Sequence, residues 1–302
     1  MKILHWFGMT ASCCLASLCA SEISPPALVV EKTRASVELL AALERPGKVL
    51  FEDSFDEESS LEKYFELRGR AEKRAMIDLS EGQSHRGKGA LRLTAANAQG
   101  KESGAGATAW LGDEGHDVVH LRYYIRFADD YKQGNLNHTG GSISAVAGSN
   151  KWRGMGQAGK RPRGDDYFNS RFETWCDWQR LDPPGYLFLY TYWMEMQQDK
   201  DGNYWGNMLG PEKAQRFLPE RGKWYCLEHM IRANTPGKHD GELAAWIDGK
   251  LYLHFTGIQW RSSEQVKIKR IDLGVYVHAC TQDNTVWYDD VVVSTGYIGP
   301  VK

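Results

Sequence analysis

Apolar and polar residues alternate along most of this chain. Alternating runs begin at residues 49–55 and recur at 90–94, 118–127, 171–175, 185–193, 224–233, 242–247, 250–255, 268–278 and 285–294. A period of two is what a strand with one buried face requires. Turn clusters punctuate the runs: Arg86-Gly87-Lys88-Gly89, Asp201-Gly202-Asn203, Pro236-Gly237-Lys238 and Asp248-Gly249-Lys250. Asp-Gly between two apolar runs is a strong hairpin signal. A helical period is confined to residues 31–44, where Val37, Leu40 and Ala41 fall roughly on one face with Val30 just ahead, before Pro46-Gly47 stops the pattern. The pattern predicts an all-β chain, one antiparallel β-sandwich over residues 48–302, preceded by a spacer over 21–47 that carries a short helix. Phe51, Phe55, Val275, Val277 and Val291 are expected in the core.

Strand parity assigns the faces. Leu121, Tyr123, Ile125 and Phe127 share one side of their strand; Arg122, Tyr124 and Arg126 share the other. Ile271, Leu273, Val275 and Val277 point one way, and Asp272, Gly274, Tyr276 and His278 the other. The second sets are rich in Tyr, His and Arg, as a groove lining would be. A plain solvent face would carry more Lys, Glu and Thr.

Composition narrows the setting. Residues 1–20 have the form of a secretory signal: Lys2, a mostly apolar run over 3–18, then Leu18-Cys19-Ala20 as a small-residue cleavage site. The run is short and broken for a membrane span. Cys19 invites a lipid-anchor reading, against which stands Leu18. A secreted or periplasmic protein is expected. Loss of the signal leaves Cys176, Cys226 and Cys280, an odd number without metal-ligand spacing, so at most one bridge forms. The net charge of -2 gives the molecule no global pull on polyanions, and any such pull has to be local. Phosphate loops, dinucleotide-binding glycines, a serine nucleophile elbow and zinc-binding helices are absent from the sequence.

The chemistry-bearing residues concentrate between Asn137 and Tyr192. Asn137-His138-Thr139-Gly140-Gly141 reads as a glycine-rich turn. Lys151, Arg153, Lys160, Arg161 and Arg163 form a basic loop with no acid before Asp165. Asn169, Arg171 and Glu173 alternate on one strand, and Tyr190 and Tyr192 share one side of the next. Histidine, arginine and tyrosine with little carboxylate suit binding an anionic sugar chain and removing a proton from it. Each residue also has an ordinary reading. Arg171 pairs with Glu173 or Asp166, the tyrosines are half-buried sheet aromatics, and His138 bonds the backbone of its turn.

Over residues 120–260 the chain resembles polysaccharide lyase family 14, the alginate and glucuronan lyase group built on a concanavalin-like jelly roll. The likeness is carried by the loop and strand Gly159-Lys160-Arg161-Pro162-Arg163-Gly164 through Asn169-Ser170-Arg171-Phe172-Glu173-Thr174-Trp175. It is also carried by the paired-tyrosine strand Gly185-Tyr186-Leu187-Phe188-Leu189-Tyr190-Thr191-Tyr192, and by Arg221-Gly222-Lys223-Trp224 with Ile247-Asp248-Gly249-Lys250. Where the family has a turn with a catalytic-type lysine, this chain has Asn135-Leu136-Asn137-His138-Thr139-Gly140-Gly141.

The resemblance implies β-elimination on an acidic polysaccharide. Such a reaction needs the uronate carboxylate neutralised, then a base and an acid. Arg171 and Asn169 are expected to hold that carboxylate. His138, Tyr190 or Tyr192 is the base, with a tyrosine as acid. Arg153, Lys160, Glu173, Tyr276 and His278 are expected to contact substrate. No cofactor is required, no nucleic acid or membrane partner is implied, and a monomer is expected. Concanavalin-like domains often hold a structural Ca²⁺ where the first and last strands meet. Glu52, Asp53, Asp289 and Asp290 supply oxygens there, or are ordinary surface acids. Two alternatives stay open. A glycosidase on the same fold would need two carboxylates, and no strand carries alternating acids. A non-catalytic carbohydrate-binding module would use Trp152, Trp175, Trp193 and Trp205 as stacking platforms.

Overall fold

The computed structural model describes residues 29–31, 37–133 and 137–302. The signal peptide expected over residues 1–20 lies outside the described residues. The elements run β1 (Val29–Glu31), α1 (Val37–Leu43), β2 (Val49–Asp53), β3 (Glu66–Arg68), β4 (Ala75–Asp78), β5 (Ala90–Ala95), β6 (Ser103–Trp110), β7 (Val118–Phe127) and β8 (Gly140–Ala147). They continue with β9 (Tyr167–Trp175), β10 (Tyr186–Tyr192), β11 (Asn207–Leu209), β12 (Trp224–Arg232), β13 (Gly241–Ile247), β14 (Lys250–Ile258), β15 (Val266–Val277) and β16 (Asn284–Ser294). All pairings are antiparallel. The outer sheet has the order β1-β14-β13-β12-β7-β16-β5-β4, with β2 also on β16; the inner sheet has the order β11-β10-β9-β8-β15-β6-β3. This is the expected sandwich.

The alternating runs became strands because each could put one face into the layer between the sheets. Leu121, Tyr123, Ile125 and Phe127 from the outer sheet meet Ile271, Leu273, Val275 and Val277 from the inner one, all buried. Phe55 and Val291 are fully buried as well, whereas Phe51 is only half-buried against the core edge. The opposite face of β7 is not a groove. Arg126 stacks on Trp224 and Trp287 and donates to Gly82 and Gln83, so the 79–89 loop covers this outer surface.

Four inner strands were not expected: the three-residue edges β3 and β11, and the longer β6 and β8. β6 reads Ser-Gly-Ala-Gly-Ala-Thr-Ala-Trp, and β8 opens with the Gly140-Gly141 taken as a turn. Their small residues alternate without the bulk that signals a strand. The helical pattern over 31–44 also resolved differently. Residues 29–31 form an edge strand on β14, and the described helix covers Val37–Leu43. Leu43 then packs on Trp246, whose indole donates to Glu44 at 3.0 Å. Among the described residues no helix is long and apolar enough to cross a membrane.

Tyrosines of the outer sheet brace the inner one. Tyr123 on β7 donates to the Phe172 carbonyl of β9 at 2.9 Å and accepts from the Gly141 amide of β8 at 2.9 Å. Tyr288 reaches Gly274 of β15 at 2.6 Å, and Tyr252 reaches Leu187 of β10 at 3.0 Å. Gly141 has to lack a side chain, because a Cβ there would sit 2.4 Å from the Tyr123 ring. Tyr123→Phe leaves two buried backbone groups unpaired, at a cost of about 1–3 kcal/mol. Thermal unfolding should fall by roughly 2–4 °C for each kcal/mol lost; an unchanged melting temperature would show that the hydroxyl braces nothing.

Candidate active site

The open face of the inner sheet gathers most of the expected residues. Parity puts Asn169, Arg171, Glu173 and Trp175 of β9 on it, with Tyr186, Phe188, Tyr190 and Tyr192 of β10 and Arg270, Asp272 and Tyr276 of β15. Register then aligns them in rows. Tyr190 lies opposite Arg171, Arg171 opposite Ser142, and Ser142 opposite Asp272. Tyr192 lies opposite Asn169 in the adjacent row. His138 enters from the loop before β8. Its amide donates to the Tyr276 carbonyl at 2.8 Å and its carbonyl accepts from the Tyr276 amide at 3.1 Å. The histidine is thereby fixed to the end of β15.

Glu173 is the electrostatic centre. Its side chain is 1% exposed, so the carboxylate depends on protein partners in place of water. Both its oxygens lie 3.1 Å from His138 Nδ1, and Arg171 Nε is 3.8 Å away. An ionised carboxylate can only accept, so Nδ1 carries the hydrogen, and in the neutral imidazole the lone pair is then on Nε2. The ring is a third exposed. It stacks on Tyr276 and lies beside Tyr190, ring centres 4.9 Å apart, and His278.

Arg171 is not the free fork that the sequence suggested. Nη1 donates to the Gly140 carbonyl at 2.7 Å, Nη2 pairs with Asp272, and Nε faces Glu173. Burial opposes its charge, but Asp272 and Glu173 outweigh that and raise its pKa. Arg171 therefore binds the two carboxylates together and offers substrate only part of its charge. Glu173, expected to touch substrate, holds His138 from below instead. Asp272 went unassigned in the sequence, although its parity with Tyr276 placed it on the same face.

Tyr190 does not suit the role of base that the sequence left open to it. Tyr190 is pushed up, first by burial and then by Tyr192 and Glu173, against a hydrogen bond from the Gly206 amide at 2.9 Å. It keeps its proton, which suits an acid and not a base. Its hydroxyl is 3.5 Å from that of Tyr192. Tyr276 is pushed up to about 12 by burial and by its hydrogen bond to Glu102. Burial and then His138 lower the pKa of His278, which stands exposed just beyond β15.

Arg153 and Lys160 are exposed on the basic loop, which folds over the other end of the strands. Arg270 donates from the sheet to the Lys151 and Arg153 carbonyls at 2.6 and 3.2 Å, and Tyr167 donates to the Lys160 carbonyl at 3.3 Å. Tyr167 and Glu173 are six residues apart on β9, about 20 Å at strand rise. Gly159, beside Lys160, pairs with Tyr204, two residues before the Gly206 amide that donates to Tyr190 at 2.9 Å, so this loop also borders the tyrosine pair. Trp193 is buried in the core, so it is no stacking platform; Trp152 and Trp205 are exposed on the loops at this end. Cys176, Cys226 and Cys280 are free and buried.

The acids expected around calcium do not fit an ion. Asp53 accepts from Ser60, Lys63 and the Phe55 amide. Asp289 accepts the His85, Arg86 and Asp290 amides, Asp290 pairs with His85, and Glu52 is exposed. Among the described residues no group of three His, Cys, Asp or Glu could hold a metal.

The Tyr190 assignment is open to spectrophotometric titration. At pH about 10, the midpoint of an ordinary tyrosine, wild type and Tyr190→Phe should give the same phenolate absorbance, because Tyr190 remains protonated there. A deficit of one half-ionised phenol in the variant would contradict it.

Similar folds occur in known enzymes. The alginate lyase vAL-1 from Chlorella virus superimposes with a TM-score of 0.60 at 12% identity, over 82% of this chain and 99% of that one. A variant of the alginate lyase Aly36B in complex with an alginate tetrasaccharide gives 0.56 at 16%, over 86% and 98%. The endo-beta-1,4-glucuronan lyase from the fungus Trichoderma reesei gives 0.52 at 13%, over 82% and 95%. At these identities the likeness establishes the fold. No curated protein sequence matches the chain. The family model for polysaccharide lyase 14, however, matches residues 87–282, more than half of the chain and all of the site described above. The chain belongs to polysaccharide lyase family 14.

Proposed function

We propose that this lyase cleaves a uronic acid polysaccharide by β-elimination, with His138 as base and Tyr190 as acid. The observation that carries the assignment is the contact between His138 Nδ1 and buried Glu173, which leaves Nε2 free over the groove beside Tyr190. The proton α to the uronate carboxyl passes to Nε2. A double bond forms between the α and β carbons as the bond from the β carbon to the glycosidic oxygen breaks. Tyr190 supplies the proton to that oxygen, and Tyr192, 3.5 Å away, is placed to replenish it. Asn169 and the exposed part of Arg171 meet the substrate carboxylate, and the field of Arg171 favours the charge that develops on it. The alginate tetrasaccharide held by Aly36B and the glucuronan lyase fold support an acidic substrate. Glycoside hydrolysis fits less well, because Glu173 is buried under His138 and both it and Asp272 are engaged by Arg171.

Alginate and glucuronan digests should gain the ultraviolet absorbance of unsaturated uronate. Positioned acid–base groups contribute on the order of 10²–10⁴-fold. His138→Ala and Tyr190→Phe should each lose a factor in that range, with the fold retained. Glu173→Gln should lose activity too, since an amide no longer dictates which nitrogen carries the proton. Wild-type rates in both His138→Ala and Tyr190→Phe would place the chemistry elsewhere.

Export belongs to the same reading, since a polysaccharide of this kind is met outside the cytoplasm. Mature protein from its native host should start near Ser21; an intact Met1 would contradict export by this route.

A further inference from the structure

The groove does not stop at His138. Beyond Glu173, β9 ends in Trp175, which parity keeps on the open face, and the chain then reverses through residues 176–181. Three successive non-glycine residues in that reversal are left-handed: Asp177 (φ 49°), Trp178 (φ 57°) and Gln179 (φ 63°). Such conformations are costly for side chains with a Cβ and persist only where the surroundings enforce them. Here the enforcement is visible. The Leu181 amide donates to the Cys176 carbonyl at 3.1 Å, and the Arg180 amide to that of Asp177 at 3.2 Å. Asp177 is held by Arg216 at 2.9 Å, and Arg216 in turn lies flat on Tyr186, 4.0 Å from the ring centre. Gln133, next to the loop that carries His138, reaches Cys176 Sγ at 3.4 Å and the Pro184 carbonyl at 2.7 Å. The turn is thus anchored by a buried glutamine.

This frame supports one exposed group. Trp178 is the most exposed of the large apolar side chains, at 56%, and its indole stands edge-on to Trp175 with ring centres 5.8 Å apart. Arg180, also exposed, shares the Asp177 carboxylate with Arg216. Asp177 is thus engaged by two guanidiniums, and the Arg180 group stands exposed beside the indole.

We propose that Trp178 and Arg180 form a distal subsite for one uronosyl unit of the polysaccharide chain. The apolar face of the sugar ring lies on the indole, and its carboxylate is drawn to Arg180. A neutral sugar would use only the first contact, so the pair selects for uronate. The inference rests on the polyuronide reading above and extends it to a sugar that takes no part in the chemistry.

The test compares wild type, Trp178→Ala, Trp178→Phe and Arg180→Gln on long polyuronide and on the shortest oligomer that is cleaved. Trp178→Ala should raise KM for the long chain about tenfold, equivalent to about 1.4 kcal/mol, with kcat unchanged. Kinetics on the shortest oligomer should not move. Trp178→Phe should recover most of the loss, and Arg180→Gln should show part of it. Identical long-chain KM in wild type and Trp178→Ala would overturn the subsite, as would equal losses on long and short substrates. Binding of long polyuronide to His138→Ala, read with and without Trp178→Ala, separates the two proposals. A tenfold difference in binding with no unsaturated product from wild type would sink the elimination reading alone. Absence of binding to any polyuronide would sink both.

Discussion

A carboxylate removed from water is the constraint around which this site is built. Glu173 sits in the middle of the inner sheet with almost no solvent, and an ion in that position is tolerable only with cationic or hydrogen-bonding partners on several sides. Those partners are the site. His138 satisfies it from the loop before β8, and Arg171 satisfies it from its own strand. Arg171 is itself enclosed, so it draws in Asp272 from β15. The chain of charges fixes the ring that bears the free nitrogen, and it sets the environment in which Tyr190 keeps its proton. Removing the acid would release the histidine and leave the arginine with one partner fewer, so a buried residue governs the exposed ones around it.

The sheet that carries this cluster is shaped by what it lacks. β6 and β8 are built of glycine, alanine and serine, and their small side chains let neighbours come close on both faces. On the core side the ring of Tyr123 closes on Gly141; on the open side Arg171 lies 3.5 Å from where a side chain at Gly274 would begin. The same smallness hides these strands from a reading of alternation, because alternation is detected through bulk. The ten expected runs all became strands, and most carry large apolar residues at every second position. The unexpected ones are short edges or are filled with residues that leave no such trace. The glycine-rich segment taken for a turn is in fact the start of a central strand.

For the site, parity made faces legible and left partners hidden. Asn169, Arg171, Glu173, Tyr190, Tyr192 and Tyr276 do share one surface, because side-chain direction follows from position along a strand. What each residue touches depends on which strands are neighbours. β15 reaches β9 only through β8, and Arg171 and Asp272 are separated by 101 positions in sequence. An arginine read alone looks free to grip a substrate, whereas with Asp272 restored it is mostly a structural cation. Tyr190 shows the same limit. The local sequence offers a nearby arginine that would favour phenolate, but burial and the second tyrosine decide the balance the other way.

The two ends of the groove meet a polyuronide by different forces. Past Tyr167 the surface is a loop of lysine and arginine, whose attraction acts at a distance and is screened over about 10 Å in 0.1 M salt. Past Glu173 it is a pair of indoles with an exposed guanidinium, whose contact depends on fit as well as charge. A uronic acid chain presents both features at once, an apolar ring face and a charged edge on every unit. The basic end suits capture of a long anion in many registers. The aromatic end, anchored by Gln133, suits setting one register against the base. Placing His138 next to the rigid end, and the basic loop toward the other end of β9, would separate how tightly the polymer is held from which of its linkages is cut.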